Sequence, residues 1–240
     1  MRKIEKAIEQ KITSLEEGLN RIAIVHYSCE SFLDVKTGSP TIVSIAIKDL
    51  SSGQVTTFAL CDSESEEKML GAYFQHLNNN RDELYVHWNM NDTVYGFEAI
   101  RNRYSQITGQ QGIIIPSDQL FDLDDLVEKK YGKHYAPHPK LYHLAKINRY
   151  SMLGFRSGKD EAELFKQSAF FENKLSTIRK VHIIANILED FLYDRLLTDN
   201  RKFASLVRRI EENTLYKAIA IIATLAALAS IVWAIFELLP

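Results

Sequence analysis

The chain has 240 residues, 46% of them hydrophobic and 25% charged, the ordinary balance of a globular protein with one substantial core. A formal net charge of -2 excludes a global basic field of the kind that announces a nucleic-acid binder, though not a local patch. Cys29 and Cys61 follow no metal-ligand spacing and make no disulfide framework, so a reduced, cytoplasm-facing domain is expected.

The first ten residues, MRKIEKAIEQ, carry charge throughout and do not read as a secretory signal. Ile4, Ile8, Ile12, Leu15 and Leu19 recur at helical intervals, which predicts an amphipathic helix over residues 1–20. Three strand-like runs follow, RIAIVHYS, TIVSIAIKDL and QVTTFAL, with Ser51-Ser52-Gly53 as a tight turn between the last two. Connections this short require antiparallel pairing. Next come a helix around 64–78, the strand ELYVHW and a helix from about 92 to 107. The intervening helix lets the fourth strand run parallel to the first. GIIIPSDQLFDL supplies one more short strand, and nearly all that follows reads as helix.

Within GKHYAPHPKLYH, Pro137 and Pro139 break any helical register between His134, His138 and His143. A loop with scattered histidines is expected there rather than a zinc site. In STIRKVHIIANILEDFLYDRLL, Ile178, Val181, Ile184, Ala185, Leu188 and Leu192 make a packing face that leaves Arg179 and Lys180 pointing outward. This region is expected to form a helical extension over 171–213, interrupted near Asn200.

The end of the chain changes character. Between Lys217 and Glu237 lies a charge-free run of roughly 19 residues, about the length a bilayer core requires. Tyr216 and Trp233 sit near its ends, where amphipathic rings favour the interface. Lys202, Arg208, Arg209 and Lys217 lie upstream and no Lys or Arg follows, so the positive-inside rule places the N-terminal domain in the cytoplasm. Residues 214–240 are expected to be a single-pass anchor that meets the membrane through 218–236. Ala223 with Ala227 and Ala226 with Ser230 form small-xxx-small pairs, from which a homo-oligomer is expected.

Two motifs carry a resemblance. VHYSCESF, at the end of the first strand, is similar to the Asp-x-Glu segment of DEDD 3'–5' exonucleases within the ribonuclease H-like fold. Glu30 matches the glutamate and Ser28 stands in the aspartate's place. VHWNMNDTVYGFEAI is similar to the second motif, His-Asn-x-x-x-Asp: His87 and Asp92 keep the spacing while Trp88 replaces the asparagine. FRSGKDEAELF echoes the third motif, with Asp160 or Glu161 as its acid and Phe155 or Arg156 where the family has its general-base histidine. The resemblance spans about residues 20 to 170. It implies an α/β ribonuclease H-like mixed sheet, three antiparallel strands followed by parallel strands with helices, over residues 21–170.

What the resemblance implies chemically is a two-metal clamp on a phosphodiester, built mainly from carboxylates. A serine in the aspartate's place weakens that cage, so a weakly held single Mg or Mn ion on Glu30 and Asp92 is the most to expect. The bland reading makes Glu30 a solvated strand-end carboxylate and Asp92 a helix cap. The leading expectation is a membrane-tethered, exonuclease-like module without efficient hydrolysis, binding nucleic acid or an unknown protein partner, which would suit sensing or defence. Two alternatives compete with it. One is an active metal-dependent 3'–5' exonuclease using Glu30, Asp92 and Asp160 or Glu161; the other is an oligomerisation platform for membrane helices. The sequence contains no P-loop, GxSxG or CxxC motif, so nothing in it suggests nucleotide hydrolysis, serine hydrolysis or dithiol chemistry.

Overall fold

The computed structural model describes residues 2–35 and 38–200. An opening helix, α1 (Arg2–Glu17), leads into strand β1 (Ile22–Cys29), then β2 (Ile42–Asp49) and β3 (Val55–Ala59). Helix α2 (Glu66–Asn79) precedes β4 (Leu84–His87), and α3 (Phe97–Thr108) precedes β5 (Leu120–Asp122). Four helices complete the described chain: α4 (Leu123–Tyr131), α5 (Lys140–Ile147), α6 (Gly158–Lys166) and α7 (Phe170–Leu192).

The sheet order is β3-β2-β1-β4-β5. β1 pairs antiparallel with β2 and β2 antiparallel with β3, while β4 is parallel to β1 and β5 parallel to β4. This mixed sheet, with helices on both faces, fits the ribonuclease H-like fold. β1 is central and buried on both sides, so its alternating side chains enter two cores. Ile22 and Ile24 join Val181, Ile184, Leu188 and Phe191 of α7, whereas Ala23, Val25 and Tyr27 join Met69, Leu70 and Tyr73 of α2. Each fully buried aliphatic or aromatic side chain of this kind contributes about 1.5–3 kcal/mol, so the centre of the sheet is the most strongly held part of the molecule.

Four details differ from the sequence expectation. The strand in GIIIPSDQLFDL is limited to Leu120–Asp122. The helix expected from 92 begins only at Phe97, because Asp92 N bonds back to Tyr95 O and residues 92–96 form a turn. Gly96 closes that turn at a place where any Cβ would collide with the Met90 carbonyl. Helix α7 is no appended extension: it packs directly on β1 and β2 and supplies seven buried residues of one core, Val181 to Phe191, so its residues belong with the strands. It also stops at Leu192, well before Asn200. Among the described residues no helix is long and apolar enough to cross a membrane; the segment 218–236 and the small-residue pairs within it lie outside them.

Candidate functional site

The C-terminal end of β1 is where the resemblance puts its chemistry, and a bulge shapes it. Ser28 lies opposite Ser44, but Cys29 lies opposite Ile42, one residue out of step. Such a bulge bends a strand and re-aims its last side chains. On the α7 side of β1, the residues His26 and Ser28 take over from Ile22 and Ile24, so the face turns from apolar to polar. Helix α7 makes the same change at the same level, since Asn173, Ser176, Thr177 and Lys180 are all buried ahead of its apolar Val181 and Ile184.

Three hydroxyls close this interface. Ser28 Oγ lies 3.0 Å from Ser44 Oγ, Ser44 Oγ lies 2.6 Å from Thr177 Oγ1, and Thr177 Oγ1 lies 3.3 Å from Ser28 Oγ. Thr177 Oγ1 also donates to Asn173 O at 3.0 Å. A hydroxyl has one hydrogen, so the arrangement that satisfies most groups is a one-way relay. Ser28 donates to Ser44, Ser44 to Thr177, and Thr177 to the Asn173 carbonyl. Ser28 is only 2% exposed and its hydroxyl is engaged inside the protein. Where the resemblance would put a central carboxylate, it offers a neutral oxygen, a far weaker ligand for a hard cation.

The predicted site residues are placed as follows. Glu30, half-buried just past β1, accepts from both the backbone N and the Oγ1 of Thr41 through its Oε2, at 3.2 and 2.9 Å. Asp92 is exposed and accepts from Val94 N at 2.8 Å, holding its own turn rather than capping α3. Asp160 is also exposed; it forms a reciprocal capping box with Ser157 at the start of α6, and these bonds hold its carboxyl below the usual range. Glu161, the other candidate at that motif, turns inward. It is 5% exposed, 2.7 Å from Lys180 Nζ, and accepts from Ser176 Oγ at 2.7 Å. Asp160 and Glu161 are therefore a cap and a buried ion-pair member.

Lys180 corrects the sequence reading. Instead of pointing outward it is 5% exposed and ion-paired, while its neighbour Arg179 donates from Nε to Leu153 O at 2.7 Å. Its charge is felt on both sides of Ser28. It helps burial push His26 well below the ordinary histidine value, and it partly offsets the upward push that burial and Glu161 give Cys29, to about 12. His87, from the second motif, lies on the opposite face of the sheet against Phe97, with ring centroids 5.4 Å apart. Its Nδ1 accepts from Met90 N at 3.2 Å, and burial, with Lys11, pushes its pKa down to about 3.

Sequence reasoning missed Ser44, Asn173, Ser176, Thr177 and Lys180. The signal was present for four of them: 173, 176, 177 and 180 extend the spacing of the α7 packing face backwards, with polar residues at positions that must be buried.

The donor set can be tested against the implied metal pair. A two-metal clamp needs several carboxylate oxygens converging within one cage. Among the described residues, no group of three or more His, Cys, Asp or Glu side chains comes together. His134, His138 and His143 likewise form no such group. The described residues do not fit a two-metal centre.

No protein-family model matches the chain, and neither does any curated protein. Among solved structures, the crystal structure of the Aedes aegypti Nibbler EXO domain is similar to it. The two share 13% sequence identity with a TM-score of 0.36, over 78% of this chain and 92% of that one. A likeness of this strength assigns neither an activity nor a site residue.

Proposed function

We propose that this chain is a membrane-tethered, exonuclease-like module that has kept a ribonuclease H-like sheet without efficient hydrolysis, and that it acts by binding a protein partner. The observation that carries the reading is Ser28: it stands in the place of a central aspartate and is locked with Ser44 and Thr177 in a buried hydroxyl relay. A neutral, enclosed oxygen cannot anchor a two-metal clamp.

Charge favours a protein over nucleic acid as partner. Phosphate recognition needs uncompensated Lys and Arg along a face. Around the ends of β1 and β2, four cations are instead engaged by the chain's own carboxylates: Arg103 by Glu66, Lys166 by Asp34, Lys174 by Asp62, and Lys180 by Glu161. The tether rests on the charge-free run at 218–236, and oligomerisation on its small-residue pairs.

The test uses the full-length chain in detergent with end-labelled single-stranded DNA and RNA, in Mg and in Mn. The expected result is no degradation and no strongly salt-dependent binding. Degradation that Glu30→Gln and Asp92→Asn abolish would replace this reading with the active exonuclease.

A further inference from the structure

Helix α6 packs against both α7 and the end of β1, and its only fully buried residue is Glu161. Surface helices are ordinarily seated by an apolar stripe; this one is seated by a charge. Ala162, Leu164 and Phe165 are only half-buried. The inner ties are polar: Glu161 to Lys180 at 2.7 Å, Glu161 to Ser176 at 2.7 Å, and Arg156 N to Ser176 Oγ at 3.0 Å. One outer tie, Lys166 to Asp34 at 3.1 Å, is exposed and screened by solvent.

Both flanks of α6 contain a turning point. Gly154 precedes it with φ of 84°, and Ser168 follows it with φ of 56°, a left-handed conformation that costs a non-glycine residue. The buried polar faces of α7 and β1 also hold groups with unmet hydrogen bonds. Asn173 is fully buried with neither amide atom paired, and His26 Nδ1 is also unpaired. Such groups gain partners when water or a ligand reaches them.

We infer that α6 is a hinged cover, turning between Gly154 and Ser168, which the Glu161–Lys180 pair holds shut over the polar end of β1. The apolar contacts that lifting would break are those of the half-buried Phe155 with Tyr142 and Phe165 with Phe170, whereas the strands beneath are held by two cores. The cover therefore opens as a unit without unfolding the sheet, and opening admits solvent or a polar ligand to Asn173 and the hydroxyl relay. This device is independent of whether the site hydrolyses anything.

Hydrogen–deuterium exchange on the full-length chain in detergent tests it. Glu161→Gln leaves a buried ammonium without its counter-charge, so amides of residues 158–166 are expected to exchange about tenfold faster or more. Those of β1, β2 and the C-terminal half of α7 should be unchanged. The double variant Glu161→Met with Lys180→Met replaces the pair with apolar side chains of similar volume and should close the cover again. Ser176→Ala removes only one tie, and a smaller acceleration confined to 158–166 is expected, which keeps the test available if Glu161→Gln does not fold. Acceleration shared equally by the strands, no acceleration in α6, or a double variant as open as Glu161→Gln would each overturn the inference.

Discussion

Acid should destabilise this fold through its buried histidines before most carboxylates titrate, and His87 gives the cleanest measurement. Burial holds its pKa at about 3 against an ordinary 6.5, and His26 is likewise held well below 6.5 by burial, Lys180 and His87. A ring kept neutral in the folded state, but free to take a proton when unfolded, stabilises the fold fully above pH 6.5. That stabilisation is lost as pH falls toward the folded pKa. Between pH 7 and pH 5 an unfolded histidine goes from about one-quarter protonated to almost fully protonated, which amounts to about 2 kcal/mol per buried ring. His76 and His182, also pushed down by burial, act in the same direction, so a variant comparison is needed to isolate one group. His87→Gln supplies it, because a glutamine oxygen can still accept from Met90 N. Urea denaturation of the full-length chain at both pH values should show the variant losing about 2 kcal/mol less than the parent on acidification. Equal losses in parent and variant would refute the argument for His87.

Three further outcomes are expected. Thr177→Val removes the middle acceptor of the hydroxyl relay, leaves Ser44 with a buried unpaired hydrogen, and should cost about 1–3 kcal/mol in urea denaturation; an unchanged midpoint would mean that the relay contributes nothing. Truncation after Asn213 should give a folded domain that stays in solution without detergent, and its aggregation would count against residues 218–236 as a membrane segment. Ser28→Asp alone should bind no manganese detectable by titration calorimetry, because Lys180 answers the new charge, whereas Ser28→Asp with Lys180→Met should bind it. Equal binding by those two variants would show that Lys180 plays no part.

The sheet was legible because its signals are local. Alternation in RIAIVHYS and TIVSIAIKDL, with a tight turn at Ser51-Ser52-Gly53, leaves few pairings open, and the chain adopts the predicted one. The site was less legible because its partners are distant in sequence. Ser28, Ser44 and Thr177 meet across separations of 16 and 133 residues, and spacing within one motif says nothing about them. Asp160 and Glu161 illustrate the same limit: adjacent carboxylates on a helix must diverge, and only the packing of α6 on α7 decides which one enters the protein. Lys180 was read as solvated because charges usually are. A carboxylate donated by another helix is what makes its burial tolerable.

Glu30 and Glu161 both bear on Cys29, so negative charge does collect at the end of β1. Carboxylates gathered there need a counter-charge, and a nuclease of this fold class would take it from divalent ions. Here Lys180 supplies it from within the chain. The substitution has two consequences that cannot be separated. An ammonium 2.7 Å from Glu161 gives that carboxylate a counter-charge without a bound ion. The same ammonium carries one charge, has no open coordination position, and cannot activate water as a divalent ion does. On the proposed reading, stability without metal and the lack of efficient hydrolysis would both trace to this one residue. A binding role read from this domain should accordingly survive chelation, which a catalytic role through Glu30 and Asp92 could not.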